Sequence, residues 1–403
     1  MKILHTSDWH LGHTLYNYDR TAEQQSFLRQ LTRIVTEEQP DAMVVSGDIY
    51  HYSSPAAATQ KMYTDAMLNI HQACPEMTIV VTAGNHDSSS KLEIDSNLWQ
   101  HFGLNVVGNI ERTAEEVNLD KHIIEINNEK KTKGYVIAVP HVYPQNFPLL
   151  DTETPRDQRQ ARFFQALLDE VKKRNTAQLP VVLMAHLSIE GSDRSGHDES
   201  IGGIEYVPLS AMGEGYDYLA LGHIHCPQDI KGSHHHARYC GTPLPVSFDE
   251  TYPHSVSIIE LEKGAEPQIS TREIENPIPL VTLPHDPTPF EDALKLLEEY
   301  PEEKPAYLRL NVLTKGYLPP DCNEKASNAA KGKACKYCYI KTTRERQADT
   351  DESKPISIQE MQEMSPLEIA RLYYRETEGK EMDPELCQLM ETVMQKVKSK
   401  NNS

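Results

Sequence analysis

Five apolar runs along the chain end in residues that can bind a metal ion. The first is Lys2-Ile-Leu-His-Thr-Ser-Asp8-Trp-His10, and it closes on D-x-H. Asp41-Ala-Met-Val-Val-Ser-Gly47-Asp48 closes on an aspartate, and Met77 to Asp87 closes on G-N-H-D. Val181-Val-Leu-Met-Ala-His186 closes on a histidine, and Tyr218-Leu-Ala-Leu-Gly222-His223-Ile-His225 on G-H-x-H. Short apolar runs bounded by turn residues read as buried strands. In an extended strand residues two apart share a face, so Asp8 and His10 are expected to reach one cation from extended backbone.

Between the first runs the period changes to that of a helix. Phe27, Leu28, Leu31, Ile34 and Val35 fall on one face over 21–39, and Pro40 stops that helix. Pro55 opens the next, to about Leu68. Alternating strands and helices predict right-handed parallel crossovers, with sites beyond the carboxyl ends of the strands.

The middle is less regular. Short strand-like runs occupy 104–147, including Tyr135–Pro140. Phe163, Phe164, Leu167, Leu168 and Val171 have helical spacing within 155–179. The stretches 238–250 and 255–261 are expected to add strands that complete a second sheet.

Prolines cluster near 275–285, which places a boundary there. A compact unit then alternates a helix over 290–299, a strand over 306–312, a helix over 321–332 and a strand over 337–342. Polar, acidic 346–355 reads as a linker. The tail is helical: Ser365-Pro-Leu-Glu368 resembles a capping box before Leu367, Ile369, Leu372 and Tyr373. Asp383-Pro384 opens a second helix with Leu386, Met390, Val393, Met394 and Val397 on one stripe. The expected organisation is 1–280, 281–345 and 346–403.

Composition narrows the class. The chain has 403 residues, 38% hydrophobic and 25% charged, which fits a globular protein of two or three domains. No apolar run approaches the ~20 residues of a membrane span, and the N-terminus lacks a signal-peptide pattern, so a cytoplasmic location is expected. Seven scattered cysteines do not form a disulfide framework. Cys335-x-x-Cys338 with Cys322 upstream lacks an evident fourth zinc ligand and reads as core thiols. The formal charge of −20 excludes broad basic recognition of nucleic acid, but bound divalent cations can supply positive charge locally.

D-x-H, G-D, G-N-H-D, the lone histidine and G-H-x-H, in that order, resemble the calcineurin-like metallophosphoesterases. His5-Thr-Ser-Asp-Trp-His-Leu-Gly12, Gly47-Asp-Ile-Tyr-His51 and Tyr239-Cys-Gly-Thr-Pro-Leu-Pro-Val-Ser-Phe248 resemble a nuclease branch of that family that works with a partner ATPase. The resemblance implies an α/β fold: a four-layer αββα sandwich, followed by a small α/β capping domain and C-terminal helices. It implies that Asp8, His10 and His225 bind one metal, that Asn85, His186 and His223 bind another, and that Asp48 bridges them. His86 would protonate or stabilise the leaving oxygen, Asp87 would orient His86, and His51 would touch the phosphate.

Two metals ~4 Å apart can clamp the attacking and leaving oxygens of a phosphoryl transfer. Mixed His, Asn and Asp ligands suit Mn²⁺, with Mg²⁺ as the alternative. The implied activity is exonuclease action on double-stranded DNA and endonuclease action on single strands or hairpins, regulated by ATP. The chain carries no G-x-x-x-x-G-K-[ST] loop, which assigns the ATPase to the partner, in a heterotetramer built on a homodimer. A phosphoprotein phosphatase or small-molecule phosphodiesterase of the same fold, and a scaffold without catalysis, are the other readings. His13 and His141 are groove candidates, and His234-His-His236 reads as a solvated hairpin.

Overall fold

Strands Lys2–Thr6, Ala42–Ser46, Thr78–Thr82 and Leu104–Val107 pair in parallel in that order. This is a computed structural model. It describes residues 1–344 except 113–116, 129–130 and 196–205, and beyond 344 a scattering of residues between 367 and 390. Met1–Arg344 is one compact unit and Glu345–Ser403 a second.

The helices Thr21–Glu38 and Ala57–Ala73 make the first two crossovers. The predicted face of the first helix, Phe27 to Val35, is buried against Leu4, Met43 and Val45 of the sheet. Gln39 ends that helix in the left-handed region, at φ 42°, one residue before Pro40.

Ser255–Glu260 departs from the expectation. It joins the first sheet rather than the second, antiparallel to the N-terminal strand, with Lys2 opposite Glu260 and His5 opposite Ser257. Gln268–Glu273 pairs on its outer side. Val256 and Ile258 face the helix layer and Ile259 the other sheet, so the strand is covered on both faces like its neighbours.

The second sheet runs Gln228–Asp229, Ala237–Tyr239, Tyr218–Gly222, Val181–His186, Lys131–Ala138, Ile123–Asn128. Helix Arg159–Arg174 covers its outer face with Phe163, Phe164, Leu167, Leu168 and Val171. The inner faces of the two sheets meet through Ile3, Val44 and Val80 on one side and Val136, Val182, Met184 and Ala220 on the other. Helix, sheet, sheet and helix are therefore stacked in four layers, and the parallel strands of both sheets end at the same edge.

A three-stranded parallel sheet follows, Leu280–Thr288, Tyr307–Thr314 and Lys336–Arg344, with helices Phe290–Glu298 and Cys322–Ala330. Cys322 and Cys335 lie in its core with Leu297, Leu308 and Leu310. Tyr307 donates its hydroxyl to Glu23 Oε1 at 2.6 Å, and Arg309 donates to Asp249 at 2.7 Å, so this sheet is tied to the residues beside the ligand loops.

The linker 346–355 lies outside the described residues, as do Ile369, Leu372, Tyr373, Val393, Met394 and Val397 of the two apolar stripes. Among the described residues no helix is long and apolar enough to cross a membrane.

Candidate metal centre

The first strand stops at Thr6, so Asp8 and His10 do not sit on extended backbone. Asp8 (φ 53°), His10 (46°), Asp48 (52°) and His223 (99°) all adopt the left-handed region. Such conformations disfavour side chains other than glycine's and persist only when surrounding structure imposes them. Here Asp8 N–H donates to Gly47 O at 3.0 Å and His10 N–H to Asp48 O at 3.1 Å. His223 N–H donates to the Asp8 carboxylate at 3.1 Å, and His86 N–H to Asp48 Oδ1 at 2.9 Å. Asp8 and His10 still converge, through loops rather than by strand alternation.

Two glycines make the approach possible. A Cβ on Gly47, itself at φ 88°, would lie 2.3 Å from the His186 ring, and one on Gly84 would lie 2.0 Å from Asp48 Oδ1. Neither space admits another residue without displacing a ligand candidate.

The side chains form three overlapping sets. Donor atoms of Asp8, His10 and His225 lie within 4.8 Å of one another, as do those of Asp8, Asp48 and His186, and those of His10, His51 and His86. His10 Nε2 faces His225 Nε2 at 3.2 Å. Asn85 Oδ1 is 3.0 Å from His186 Nε2 and 3.0 Å from His223 Nδ1. Asp48 Oδ2 stands between two of the rings, 3.5 Å from His186 Nε2 and 3.8 Å from His10 Nε2. All seven residues carried over by motif as metal ligands thus meet at one edge.

The donor chemistry fits cations. His186 Nδ1 donates to Ser46 O at 2.8 Å, which leaves Nε2 as a lone pair facing the Asn85 and Asp48 oxygens. His225 Nδ1 is spent on Glu250 Oε1 at 3.0 Å, which turns its Nε2 lone pair towards His10. Lone pairs facing lone pairs in a buried site require a proton or a metal ion between them. In the protein alone a proton answers this. Burial pulls His186 down, but the Asp48 carboxylate outweighs it and sets the ring to about 9. Burial likewise opposes charge on Asp48, yet the His186 and His10 rings hold it well below the usual carboxylate range. Burial dominates at His10 and lowers it well below an ordinary imidazole.

His51 and His86 both pack against His10. His86 donates Nδ1 to the His51 carbonyl at 2.9 Å, which leaves Nε2 available to a substrate. The His51 ring stacks on it at 5.2 Å, and His13 packs edge-on against His51 at 4.6 Å. Asp87 makes no contact with the His86 ring. Its carboxylate accepts the backbone N–H of Ile49, Tyr50 and Gly84 at 3.1, 2.9 and 2.9 Å. The expected orienting role of Asp87 is therefore filled by the His51 carbonyl, and Asp87 fixes the two ligand loops instead. His141 packs against the His186 ring at 6.0 Å. His235 bonds Asp229 in an exposed turn.

Glu250 was not singled out by the sequence. It is buried, and besides His225 it accepts Thr242 Oγ1 at 3.0 Å and Val246 N–H at 3.3 Å. Its one signal is the position of an acid at the end of the Gly241–Glu250 segment, where nothing local predicts burial.

Comparison with known proteins gives the family. The model of the calcineurin-like phosphoesterases matches residues 1–227, and the model described as type 5 capsule protein repressor C-terminal domain matches 276–378. The SbcD component of the nuclease SbcCD from Rhodobacter capsulatus is 33% identical over 74% of this chain and 75% of its own length. Its counterpart from Escherichia coli is 27% identical over 95% and 94%, and that from Bacillus subtilis 31% over 66% and 68%. With a family model covering more than half its length and a relative above 30% identity across three quarters of that relative, the chain belongs to the calcineurin-like phosphoesterases, in the SbcD family of nucleases.

Proposed function

We propose that this chain hydrolyses DNA phosphodiester bonds at a two-metal centre, as the nuclease component of a complex with an SbcC ATPase. The convergence of Asp8, His10, Asp48, Asn85, His186, His223 and His225 on one edge, with Asp48 between the His186 and His10 rings, carries the reading. Asp8, His10 and His225 would hold one ion, and Asn85, His186 and His223 the other. Mn²⁺ suits this mixed set best. Bound there, the ions supply Lewis acidity to the attacking water and to the phosphate oxygens.

The chain's own groups do the rest. His86, fixed through Nδ1, gives a proton from Nε2 to the departing oxygen as the P–O bond breaks; the water oxygen bonds to phosphorus and sheds a proton to solvent, from which His86 is reprotonated. His51 lies against His86 and His10, where it can meet a phosphate oxygen. Asp87 and Glu250 keep loops and rings in place. The substrates are double-stranded ends for exonuclease action and single strands or hairpins for endonuclease action. Residues 1–280 form the nuclease domain, 281–345 a cap, and 346–403 a linker and helices that dock on SbcC. The whole is a cytoplasmic heterotetramer built on a homodimer.

The test is cleavage of linear duplex, hairpin and single-stranded DNA with Mn²⁺ or with EDTA, alone and with co-purified SbcC plus ATP. Metal-dependent cleavage, increased on duplex ends by SbcC and ATP, is expected. Hydrolysis of phosphomonoesters without cleavage of any DNA would overturn the reading.

A further inference from the structure

Next to the ligand cluster the surface sinks into a half-open cavity of about 320 Å³, near the lower end of the range for small-ligand pockets (~300–1,000 Å³). Asn85 is among its lining residues, so the cavity adjoins the proposed metal centre. Asn109, Ile110 and Arg112 line it together with Val142 and Tyr143. Tyr143 is 42% exposed, and its ring is braced edge-on by His141 at 5.0 Å. The 108–109 segment is held in place: Glu93 Oε1 accepts the N–H of Gly108 at 2.7 Å and of Asn109 at 3.1 Å. Asn109 Nδ2 is spent on Glu93 Oε2 at 3.1 Å, which leaves its Oδ1 as an acceptor. The Asp87 carboxylate, also in the lining, is committed to three backbone N–H groups.

A braced aromatic ring, two aliphatic side chains, an amide acceptor and a guanidinium fit a planar base carrying a phosphate. The space is too small for a step of duplex. We propose that this cavity is a subsite for one unpaired nucleotide of the substrate strand, adjacent to the scissile phosphate. The base stacks on Tyr143, and Arg112 meets the phosphate beyond it. The proposal rests on the nuclease reading and deepens it: the enzyme holds a strand splayed from its partner, as at a frayed end or in a hairpin loop.

The test compares a single-stranded oligonucleotide with a base-free deoxyribose phosphate oligomer of the same length, in Mn²⁺. Tyr143→Ala should raise KM for the oligonucleotide ~10-fold or more with little change in kcat, as expected for a lost stacking platform. It should leave the base-free oligomer unaffected, and Tyr143→Phe should keep wild-type values. Independently of cleavage, the metal-free protein should quench a 2-aminopurine trinucleotide, and Tyr143→Ala should not. An unchanged oligonucleotide KM, or undiminished quenching by Tyr143→Ala, would overturn the subsite. If the wild type cleaves neither strand, the nuclease reading falls, and the quenching measurement alone then decides the subsite.

Discussion

Glu250 Oε1 lies 3.0 Å from Nδ1 of His225, and the Glu250 side chain is fully buried. A carboxylate behind an imidazole selects the tautomer whose other nitrogen is free to bind, and makes that nitrogen a better donor. Thr242 and Val246 hold the carboxylate in turn, so the ring is oriented by a turn that no metal ligand belongs to.

Removing this support should weaken the centre without destroying it. Glu250→Ala should lower Mn²⁺ affinity by ~10–100-fold, and Glu250→Gln, which keeps an acceptor oxygen, by less. Titration of the metal-free proteins with Mn²⁺ measures both. Equal affinity in Glu250→Ala and wild type would show that His225 needs no such partner.

Asp48 stands between the His186 and His10 rings and also accepts the His86 N–H at 2.9 Å. Asp48→Ala should therefore lose bound metal and nuclease activity together. Metal content by mass spectrometry and a cleavage assay on one preparation make the check; activity near the wild type removes the bridging assignment.

His86 lies beside the donors, with its Nδ1 anchored on a carbonyl. His86→Ala should retain both ions yet lose ~10²–10⁴-fold in rate, the usual worth of a general acid. A fall in metal content would instead make His86 a ligand.

Ion uptake should release protons. The His186 ring stands at about 9 without metal, because Asp48 outweighs the effect of burial. A ligand imidazole must be neutral, so below that value an entering ion has to expel the proton. Apparent Mn²⁺ affinity should rise with pH up to about 9 and level off above it. Calorimetry at pH ~7.5 in buffers of different ionisation enthalpy should show at least one proton released per protein. Uptake independent of buffer would contradict a proton on the His186 ring.

The tail is proposed to tether SbcC through the apolar stripes at 367–373 and 386–397, since an amphipathic helix in a groove is a common way to use such a face. Met1–Arg344 is a compact unit by itself. Truncation after residue 350 should leave a folded, Mn²⁺-binding protein with basal endonuclease activity and far weaker SbcC binding. Undiminished binding by the soluble truncation would move the tether elsewhere.

The front of the fold was legible because its strands are buried on both faces and its helices on one, so the apolar runs and the helical period are local. The ligand residues were legible because they follow those runs directly. The partner of Ser255–Glu260 was not, since its choice of sheet is made by a strand at the other end of the chain. Nor was the backbone at Asp8 and His10, whose left-handed turns are imposed by hydrogen bonds to Gly47 and Asp48. Asp87 beside His86 suggested a dyad; the three N–H groups that claim its carboxylate come from Ile49, Tyr50 and its own loop.

The pairing of Lys2–Thr6 with Ser255–Glu260 has a consequence during synthesis. At ~5–20 residues per second, the ribosome needs on the order of tens of seconds to add the residues between them. Throughout that time the strand that leads into Asp8 and His10 lacks one neighbour, and until His223 and His225 are made the seven ligand candidates cannot all meet. On the proposed reading, the nascent chain should therefore cleave no DNA until residue 225 has been added.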